Sequence, residues 1–330
     1  MRVISIMLLT AFVCLVSIPA GAEPPAKRAR YDVYRLAAAP KLDGDVRNDS
    51  AWKTIPAASG FHALGGGYTV AKQSTARAAW TDDALYVAMV CEEPDIALIK
   101  DQLKDGDPLW KDNGVEIFIQ LPGKPGVLQC CVNTIGSHAM GEGKLDIKKW
   151  QAAARKGKDV WSLEMKIPFA VLGAKPTPDT EWHGAFCRNI WEYKSGGDKF
   201  TTWPALKTRF REPESFAVWT FRDKSLSAEE AGKLTAKMNA AYRKDLAQQV
   251  KDLAKAGGEY DAPIAKAASV QQFKAEAGKL HDAWTRIAAL AQDAKSASLP
   301  EMRRFIARAK DLKQRSYEIK YRYLIEELLQ

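Results

Sequence analysis

The 330-residue chain has few histidines and few cysteines, four and five respectively. Four histidines leave little room for imidazole-based catalysis, and the sequence contains no HExxH or GxSxG motif of the kind that marks zinc proteases and serine hydrolases. It also contains no CxxC spacing that would indicate zinc. Gly65-Gly66-Gly67 lacks the GxGxxG spacing, so the sequence gives no support to nucleotide chemistry.

The longest apolar run lies at the N-terminus. Met1-Arg2 supplies a positive charge, Val3 to Ile18 is almost entirely apolar, and Ala20-Gly21-Ala22 has the pattern of a cleavage site. The run is shorter than the roughly 20 residues that span a bilayer. We therefore predict a signal peptide over residues 1–22, cleaved after Ala22, and a secreted or periplasmic mature protein with no membrane-spanning segment.

Export permits disulfides, and the mature chain has an even number of cysteines: Cys91, Cys130, Cys131 and Cys187. Three pairings are conceivable. Cys130 and Cys131 are adjacent in a predicted strand, so their side chains point to opposite faces. The sequence leaves open whether one disulfide bridge forms or whether all four cysteines are buried free thiols.

Tryptophan, in contrast, is abundant: there are ten, and nine precede residue 223. The same part of the chain consists of short predicted strands separated by Gly, Pro and Asp. These strands cover residues 75–80, 84–91, 114–121, 127–134, 160–168, 184–191 and 216–221. Regular strands with such punctuation predict an all-β antiparallel sandwich of the immunoglobulin-like or jelly-roll type over residues 23–222.

Two of these strands show which face is core. In "GVEIFIQL", Val115, Ile117 and Ile119 alternate with Glu116 and Phe118. The next strand, "VLQCCVNT", likewise divides into an apolar face and a face with Gln129 and Asn133. The sequence predicts one core face and one partly polar face on each strand.

After residue 222 the apolar spacing changes to about 3.5 residues, which is typical of packed helices. Ser227 to Glu230 forms a capping box that opens a helix running toward Gly257-Gly258. Two further segments carry Phe273 to Ala291 and Phe305 to Tyr323 at alternating spacings of 4 and 3. We predict a three-helix C-terminal domain over residues 223–330, either a bundle or a long hairpin against the sandwich.

The formal net charge is +9, and the excess is spread over predicted helix surfaces. Such dispersed charge indicates a solvated face rather than a polyanion site, so nucleic acid is not an expected partner. The helices suit a role as a spacer or as a contact for self-association or a protein partner.

Several segments of the β-rich part occur in the order found in one family. They are "LDGDVRNDSAW" (42–52), "ARAAWTDDALYVAMVCEEPD" (76–95), "PLWKDNGVEIFI" (108–119), "VNTIG" (132–136), "WSLEMKIPFAVLG" (161–173), "WHGAFCRN" (182–189) and "FREPESFAVWTF" (210–221). Together they make residues 31–222 resemble family 9 carbohydrate-binding modules, as found in extracellular xylanases.

The resemblance implies an antiparallel β-sandwich, often stabilised by calcium, that binds sugar ends between two aromatic rings and serves carbohydrate catabolism, including that of xylan. Pyranose rings have apolar faces that stack on aromatic side chains, while their hydroxyls need polar partners. Carried over by motif, the first stacking ring falls on Trp110, the ligand-bonding carboxylate on Glu116 and the strand amide on Asn133.

The chain departs from the family pattern at two positions. Cys131 stands where an Arg is expected, and Phe210 stands where the second Trp is expected. Trp203 could serve in place of Phe210, and Arg188 could supply the missing guanidinium, although its apolar neighbours make a buried structural Arg equally consistent with the sequence. Trp52, Trp80, Trp161 and Trp219 are expected in the core.

Three acidic residues flank Trp110, namely Asp105, Asp107 and Asp112. Their hard oxygen ligands suit calcium, but they lack the spacing of a defined calcium loop. Structural calcium and solvated loop acids are therefore both open, and no other cofactor is expected.

The leading hypothesis is a secreted, non-catalytic protein that captures a polysaccharide or oligosaccharide. A glycoside hydrolase is the first alternative, because Glu116 and Glu164 lie on predicted strands and such hydrolysis needs two carboxylates flanking a cleft. Haem binding through His138 and Met140, in a predicted Gly-rich loop, is a second. A purely structural module with a degenerate sugar site is a third.

Overall fold

The computed structural model describes residues 28–65, 70, 72–143, 146–191, 198–294 and 296–329. The predicted signal peptide, residues 1–22, and its cleavage site after Ala22 lie outside these residues. In the part of the chain that is described, no helix has both the length and the apolar character needed to cross a bilayer.

The first part of the described chain is rich in β-structure. Its strands are β1 (Arg30–Arg35), β2 (His62–Ala63), β3 (Ser74–Trp80), β4 (Ala84–Glu92), β5 (Gly114–Gln120), β6 (Leu128–Asn133), β7 (His138–Glu142), β8 (Gln151–Lys156), β9 (Val160–Pro168), β10 (Glu181–Asn189), β11 (Phe200–Trp203) and β12 (Ala217–Arg222). All seven strands predicted from the sequence are present, with ends shifted by up to three residues. Two short helices, α1 (Ser50–Lys53) and α2 (Phe169–Leu172), lie between strands.

Ten of the strands form a nearly closed mixed sheet in the order β7-β6-β5-β10-β12-β1-β3-β4-β9-β8, and β11 and β2 extend from β10. Every pairing along this path is antiparallel except those of β1, which runs parallel to both β12 and β3. The predicted all-antiparallel arrangement is therefore wrong for β1. Parallel neighbours need a long connection, and residues 36–73 between β1 and β3, which include α1, provide one.

One large apolar core lies on the inner face of the sheet. It contains Val115, Ile117 and Ile119 of β5 together with Val87 and Met89 of β4, so distant parts of the sheet pack against each other. The four tryptophans expected in the core are all buried. The predicted alternation on β5 is thus confirmed, and Glu116 and Phe118 face away from this core.

The four cysteines are buried free thiols, and no disulfide joins them. Cys130 packs in the main core, whereas Cys131 packs on the other side of β6 with Leu109 and Ala139. Adjacent strand residues therefore do point to opposite faces. Burial strongly raises the pKa of both the Cys131 and the Cys187 thiol, and the Glu116 carboxylate raises it further.

The helical region contains α3 (Ala228–Met238), α4 (Ala240–Ser269), α5 (Lys274–Gln292) and α6 (Leu299–Leu329). The predicted capping box is present: Ser227 accepts a hydrogen bond from Glu230 N, and the Glu230 carboxylate accepts one from Ser227 N. The expected first helix is divided at Asn239, and α4 then continues through the two glycines. Gly257 has no side chain, so the Trp284 indole packs closely against the α4 backbone at this point.

The helices contact the sheet at defined points. Arg303 of α6 forms a bidentate ion pair with Glu92, with N–O distances of 2.6 and 2.7 Å. The Tyr242 ring of α4 lies against Gly60, where a Cβ atom would be 2.8 Å from the ring. The division of the chain into domains at residue 222 stays a prediction.

Candidate ligand-binding site

A cleft of about 490 Å³ opens on the outer face of β5, β6 and β10. We call it the aromatic cleft. It is lined by Leu64, Trp110, Glu116, Phe118, Gln129, Gly141, Asn189, Trp191, Phe200, Thr208, Arg209, Phe210 and Arg211. The alternation of side chains along a strand explains which residues form the cleft floor. Residues that point away from the core on neighbouring strands share one surface.

Glu116 lies in the floor and is almost completely buried. Its Oε1 accepts a hydrogen bond of 2.5 Å from the Asn189 side chain on β10. Its Oε2 accepts one from the Gln129 side chain on β6. Burial raises the pKa of Glu116, while these two hydrogen bonds oppose the rise. An ionised carboxylate has about four acceptor positions, so each oxygen retains capacity for a ligand hydroxyl.

Trp110 lies at the edge of the cleft in a short 3₁₀ turn, Leu109–Lys111, and is 38% exposed. Trp191 lies beside it, and its indole nitrogen donates a hydrogen bond of 2.9 Å to the Trp110 carbonyl oxygen. The backbone N–H of Trp191 also donates to Asn113. These bonds fix Trp191 to the turn that carries Trp110, so both tryptophans lie at one side of the cleft.

Three phenylalanines complete the aromatic lining. Phe210 packs edge-on against both Phe118 and Phe200, with ring centroids 6.3 and 5.7 Å apart. The turn that carries Phe210 is held by the buried carboxylate of Glu212, which accepts hydrogen bonds from Ser215, Thr208 and the Lys207 N–H. Burial alone would raise the pKa of Glu212, but these donors lower it overall.

The structure brings together three of the six predicted ligand contacts: Trp110, Glu116 and Phe210. The other three lie elsewhere. Asn133 is buried and shapes its own loop, donating to Leu103 O and to Asp112 and accepting from Ser137 N.

Arg188 and Trp203 point into the sheet core, so neither lines the cleft. Arg188 forms a buried ion pair with Glu93 at 2.8 Å and lies over the Trp161 ring. The structural interpretation of this arginine is therefore the correct one. Trp203 packs edge-on against Tyr31. Of the two candidates for the second ring, Phe210 rather than Trp203 reaches the cleft.

Sequence reasoning missed Gln129, Asn189, Trp191 and Phe200 as lining residues. The sequence does contain a signal for Gln129 and Asn189. Gln129 lies on the polar face of its strand, and Asn189 has the opposite orientation to the buried Arg188. Trp191 lies beyond the end of β10, and Phe200 begins β11, a strand that the sequence did not predict, so strand alternation gave no guidance for either.

The three predicted calcium ligands do not converge. Asp105 accepts a hydrogen bond from His138 N, Asp107 from Lys104 N, and Asp112 from Leu103 N. The described residues contain no group of three or more Asp, Glu, His or Cys side chains placed to hold a metal ion. These aspartates thus act as acceptors for backbone N–H groups of their loops, and they do not fit a calcium site.

Glu116 and Glu164 do not form the pair of carboxylates that glycoside hydrolysis needs. Glu164 is buried away from the cleft, where it accepts hydrogen bonds from Trp52 Nε1 and from the N–H groups of Asp43 and Gly44. Glu116 is the one carboxylate among the described lining residues.

His138 and Met140, the haem candidates, lie on strand β7 and not in a loop. The His138 ring packs edge-on against Trp150 and its Nε2 lies 3.0 Å from Ile147 O. The Met140 sulfur lies 3.8 Å from the Cys130 sulfur. Both side chains are therefore engaged with protein neighbours.

Comparison with known proteins identifies the family of the β-rich part of the chain. The family described as "Carbohydrate family 9 binding domain-like" matches residues 42–224, which is more than half of the chain. The chain therefore belongs to this family, as the sequence motifs indicated. No curated protein matches it.

Similar solved structures include two of a family 9 carbohydrate-binding module from Caldicellulosiruptor kristjanssonii. The complex with cellotriose is 18% identical, with 59% of this chain and 95% of that chain covered and a TM-score of 0.44. The complex with glucose is 18% identical, with 59% and 97% covered and a TM-score of 0.46. A proposed carbohydrate-binding protein from Bacteroides uniformis is 17% identical, with 59% and 100% covered and a TM-score of 0.46.

Proposed function

We propose that the protein binds the end of an oligosaccharide or polysaccharide in the aromatic cleft, without catalysis. The observation that carries this proposal is the Glu116 carboxylate in the floor, held from both sides by amide donors beneath an aromatic lining. The two amides leave acceptor positions on the Glu116 carboxylate open. Ligand hydroxyls are suitable partners.

The geometry assigns two kinds of contact. The exposed ring of Trp110 offers an apolar surface to a pyranose face, and Phe210 supplies the second aromatic surface of the lining. Glu116, Gln129 and Asn189 offer the acceptors and donors that equatorial hydroxyls require. The combination favours a saccharide over a purely apolar ligand.

The test is calorimetric titration with a panel of cello-, xylo- and manno-oligosaccharides. Trp110→Ala should weaken binding at least about tenfold by removing a stacking surface. Ile135→Ala, which removes an exposed apolar side chain that is not part of the cleft lining, is the matched control and should leave affinity unchanged. Failure of the wild-type protein to bind any glycan in a broad panel would overturn the proposal, and release of reducing sugar would overturn its non-catalytic part.

We also propose that the protein is exported and acts in the catabolism of polysaccharides such as xylan. Export is supported by the N-terminal sequence, with its positive start, apolar run and Ala20-Gly21-Ala22 site. The catabolic role is supported by membership of the carbohydrate-binding family. The mass of the protein recovered from the source cell tests the export proposal. A mature chain that begins at Glu23 would support it, and an intact Met1 would contradict it.

For architecture, we propose that the sheet forms the two-layered sandwich expected from the sequence. The shared core of β4 and β5 residues supports this arrangement. We further propose that residues 223–330 form a separate helical domain through which two copies of the chain associate.

The proposed self-association rests on an apolar stripe on α6, formed by Tyr317, Tyr321, Ile325 and Leu328. All four side chains are exposed, and their spacing of 4, 4 and 3 places them on one side of the helix. Lys313 and Glu327 lie near opposite ends of the stripe. An antiparallel pair of identical helices would therefore place opposite charges side by side, which favours a second copy as the partner.

A further inference from the structure

Basic side chains surround the aromatic cleft. Arg209 and Arg211 belong to its lining, and Lys111 follows Trp110 directly. Lys199 lies over the Trp191 ring with its Nζ 3.6 Å from the ring centroid, and Lys100 approaches the same ring at 5.9 Å. Among the described lining residues two side chains, Arg209 and Arg211, are basic and one, Glu116, is acidic.

Lys199 and Arg209 lie at the edge of the cleft, which we call its rim. Lys199 contacts both Trp191 and Phe200, and Phe200 packs against Phe210, which Arg209 directly precedes. The Lys199 ammonium occupies a face of the Trp191 ring, so that face is used to hold a cation and is not a bare stacking surface for a sugar.

Two of these cations have no carboxylate partner within the described residues. No ion pair joins Lys199 to an acid there, and the same holds for Arg209, whose Nε donates to the Arg211 carbonyl oxygen. Two nearby acids are already engaged: Glu116 by Asn189 and Gln129, and Glu212 by the backbone of its own turn. The charges of Lys199 and Arg209 are thus available to a ligand.

A neutral saccharide would make little use of this charge. Guanidinium groups present a planar array of donors that matches a carboxylate or an oxygen-rich anion, and an ammonium adds a compact point charge. Arg209 and Lys199 are both exposed, so a ligand in the cleft can reach them.

We infer that the saccharide bound in the aromatic cleft carries an anionic substituent, held at the rim by Arg209 and Lys199. This inference rests on the proposed function and narrows its ligand class. The anion is the carboxylate of a uronic acid residue or a sulfate ester, which share the same charge and oxygen acceptors.

The test compares binding of matched pairs of oligosaccharides by calorimetry. One pair is xylo-oligosaccharides with and without a glucuronic acid branch, a second is galacturonate and galactose oligomers of equal length, and a third is sulfated and unsulfated galactose oligomers. The anionic member should bind about fivefold or more tightly at low salt. The difference should shrink as the ionic strength is raised to about 0.5 M, because salt screens charge interactions.

Substitutions test which side chains hold the anionic group. Arg209→Gln and Lys199→Gln should each reduce the preference for the anionic member, whereas Arg209→Lys should retain most of it. Lys251→Gln, which removes an exposed cation from α4, is the control and should leave the preference intact. Unfolding midpoints measured on the same samples show that each variant is folded.

The outcomes separate the two proposals. A preference for uronate or for sulfate supports the inference and identifies the anion. Equal binding of charged and neutral members overturns the inference but leaves saccharide binding in place. A preference that survives both Gln variants also overturns it, since the anion is then held elsewhere. Binding of no member of any pair overturns the proposed function itself.

Discussion

Asn189 donates its side-chain amide to Glu116 Oε1 across two neighbouring strands, at 2.5 Å, although the residues are 73 positions apart in the chain. Gln129 donates to the other oxygen from the strand on the opposite side. The carboxylate is thereby fixed in the cleft floor by its neighbours in the sheet. Its affinity for protons, and its capacity to accept from a ligand, depend on these two amides.

Binding of a neutral oligosaccharide should therefore weaken at acidic pH. Burial raises the pKa of Glu116, so the carboxyl takes up a proton at a pH above the value of about 4.3 that is ordinary for Glu. Protonation replaces an acceptor by a donor, and affinity falls as the pH is lowered through this pKa. Asn189→Leu removes a donor that lowers the pKa, so the fall should begin at higher pH.

Calorimetry between about pH 4 and 7 measures this profile. Glu116→Gln should bind more weakly at neutral pH and show no acidic fall, while Glu181→Gln, at an exposed position, should follow the wild type. A flat wild-type profile contradicts the assignment.

Glu116 should also make folding stability depend on pH. Since the folded pKa is raised, this group's contribution to stability is fully present below the unfolded pKa and is lost as the pH rises through the folded pKa. Glu116→Gln should remove that part of the pH dependence. Urea unfolding of both proteins across the same range measures it.

Two buried indoles provide a matched test of hydrogen bonding in the core. Trp52 donates to Glu164 at 2.6 Å, whereas the Trp219 indole nitrogen has no partner among the described residues. Both Trp→Phe changes remove similar volume, but only Trp52→Phe leaves a buried carboxylate short of a donor. We expect it to lower the unfolding free energy by about 1–3 kcal/mol more than Trp219→Phe. Equal losses in urea unfolding would show that the hydrogen bond contributes nothing.

Adjacent glycines in α4 should respond oppositely to alanine. A Cβ atom at Gly257 would lie 2.3 Å from the Trp284 ring, whereas one at Gly258 would meet nothing within 4 Å. Gly258→Ala should raise stability by about 0.5–1 kcal/mol through helix propensity. Gly257→Ala should lower it by about 1–3 kcal/mol through overpacking. Thermal and urea unfolding measure both, and a stabilising Gly257→Ala change would show that the indole moves aside.

The apolar stripe on α6 predicts concentration-dependent association of the full chain in analytical ultracentrifugation. Ile325→Asp should shift the population to monomer, because a charge would be buried in the contact. Ile135→Asp changes an exposed isoleucine in the β-rich domain and is the matched control. A wild-type protein that remains monomeric at the highest concentration measured would exclude this partner.

The segments of regular structure followed largely from the sequence. Alternation identified both faces of β5, the Trp-rich motifs identified buried positions, and the capping box at Ser227 identified the start of α3. Each of these predictions depends on residues that are close together in the chain. The parallel placement of β1 could not be predicted in the same way, because its partners β12 and β3 are set by long connections.

For the cleft, the sequence determined which side chains face outward, since strand geometry allows only two directions. It thereby indicated that Glu116 faces away from the core, and the family motifs named Trp110 and Phe210 as further candidates. Only the tertiary structure decided that Asn189 and Gln129 hold the carboxylate, that Trp191 joins Trp110, and that Arg188 turns inward to Glu93. The physical reason is that alternation fixes a residue's face, while strand order and register decide which residues on that face meet.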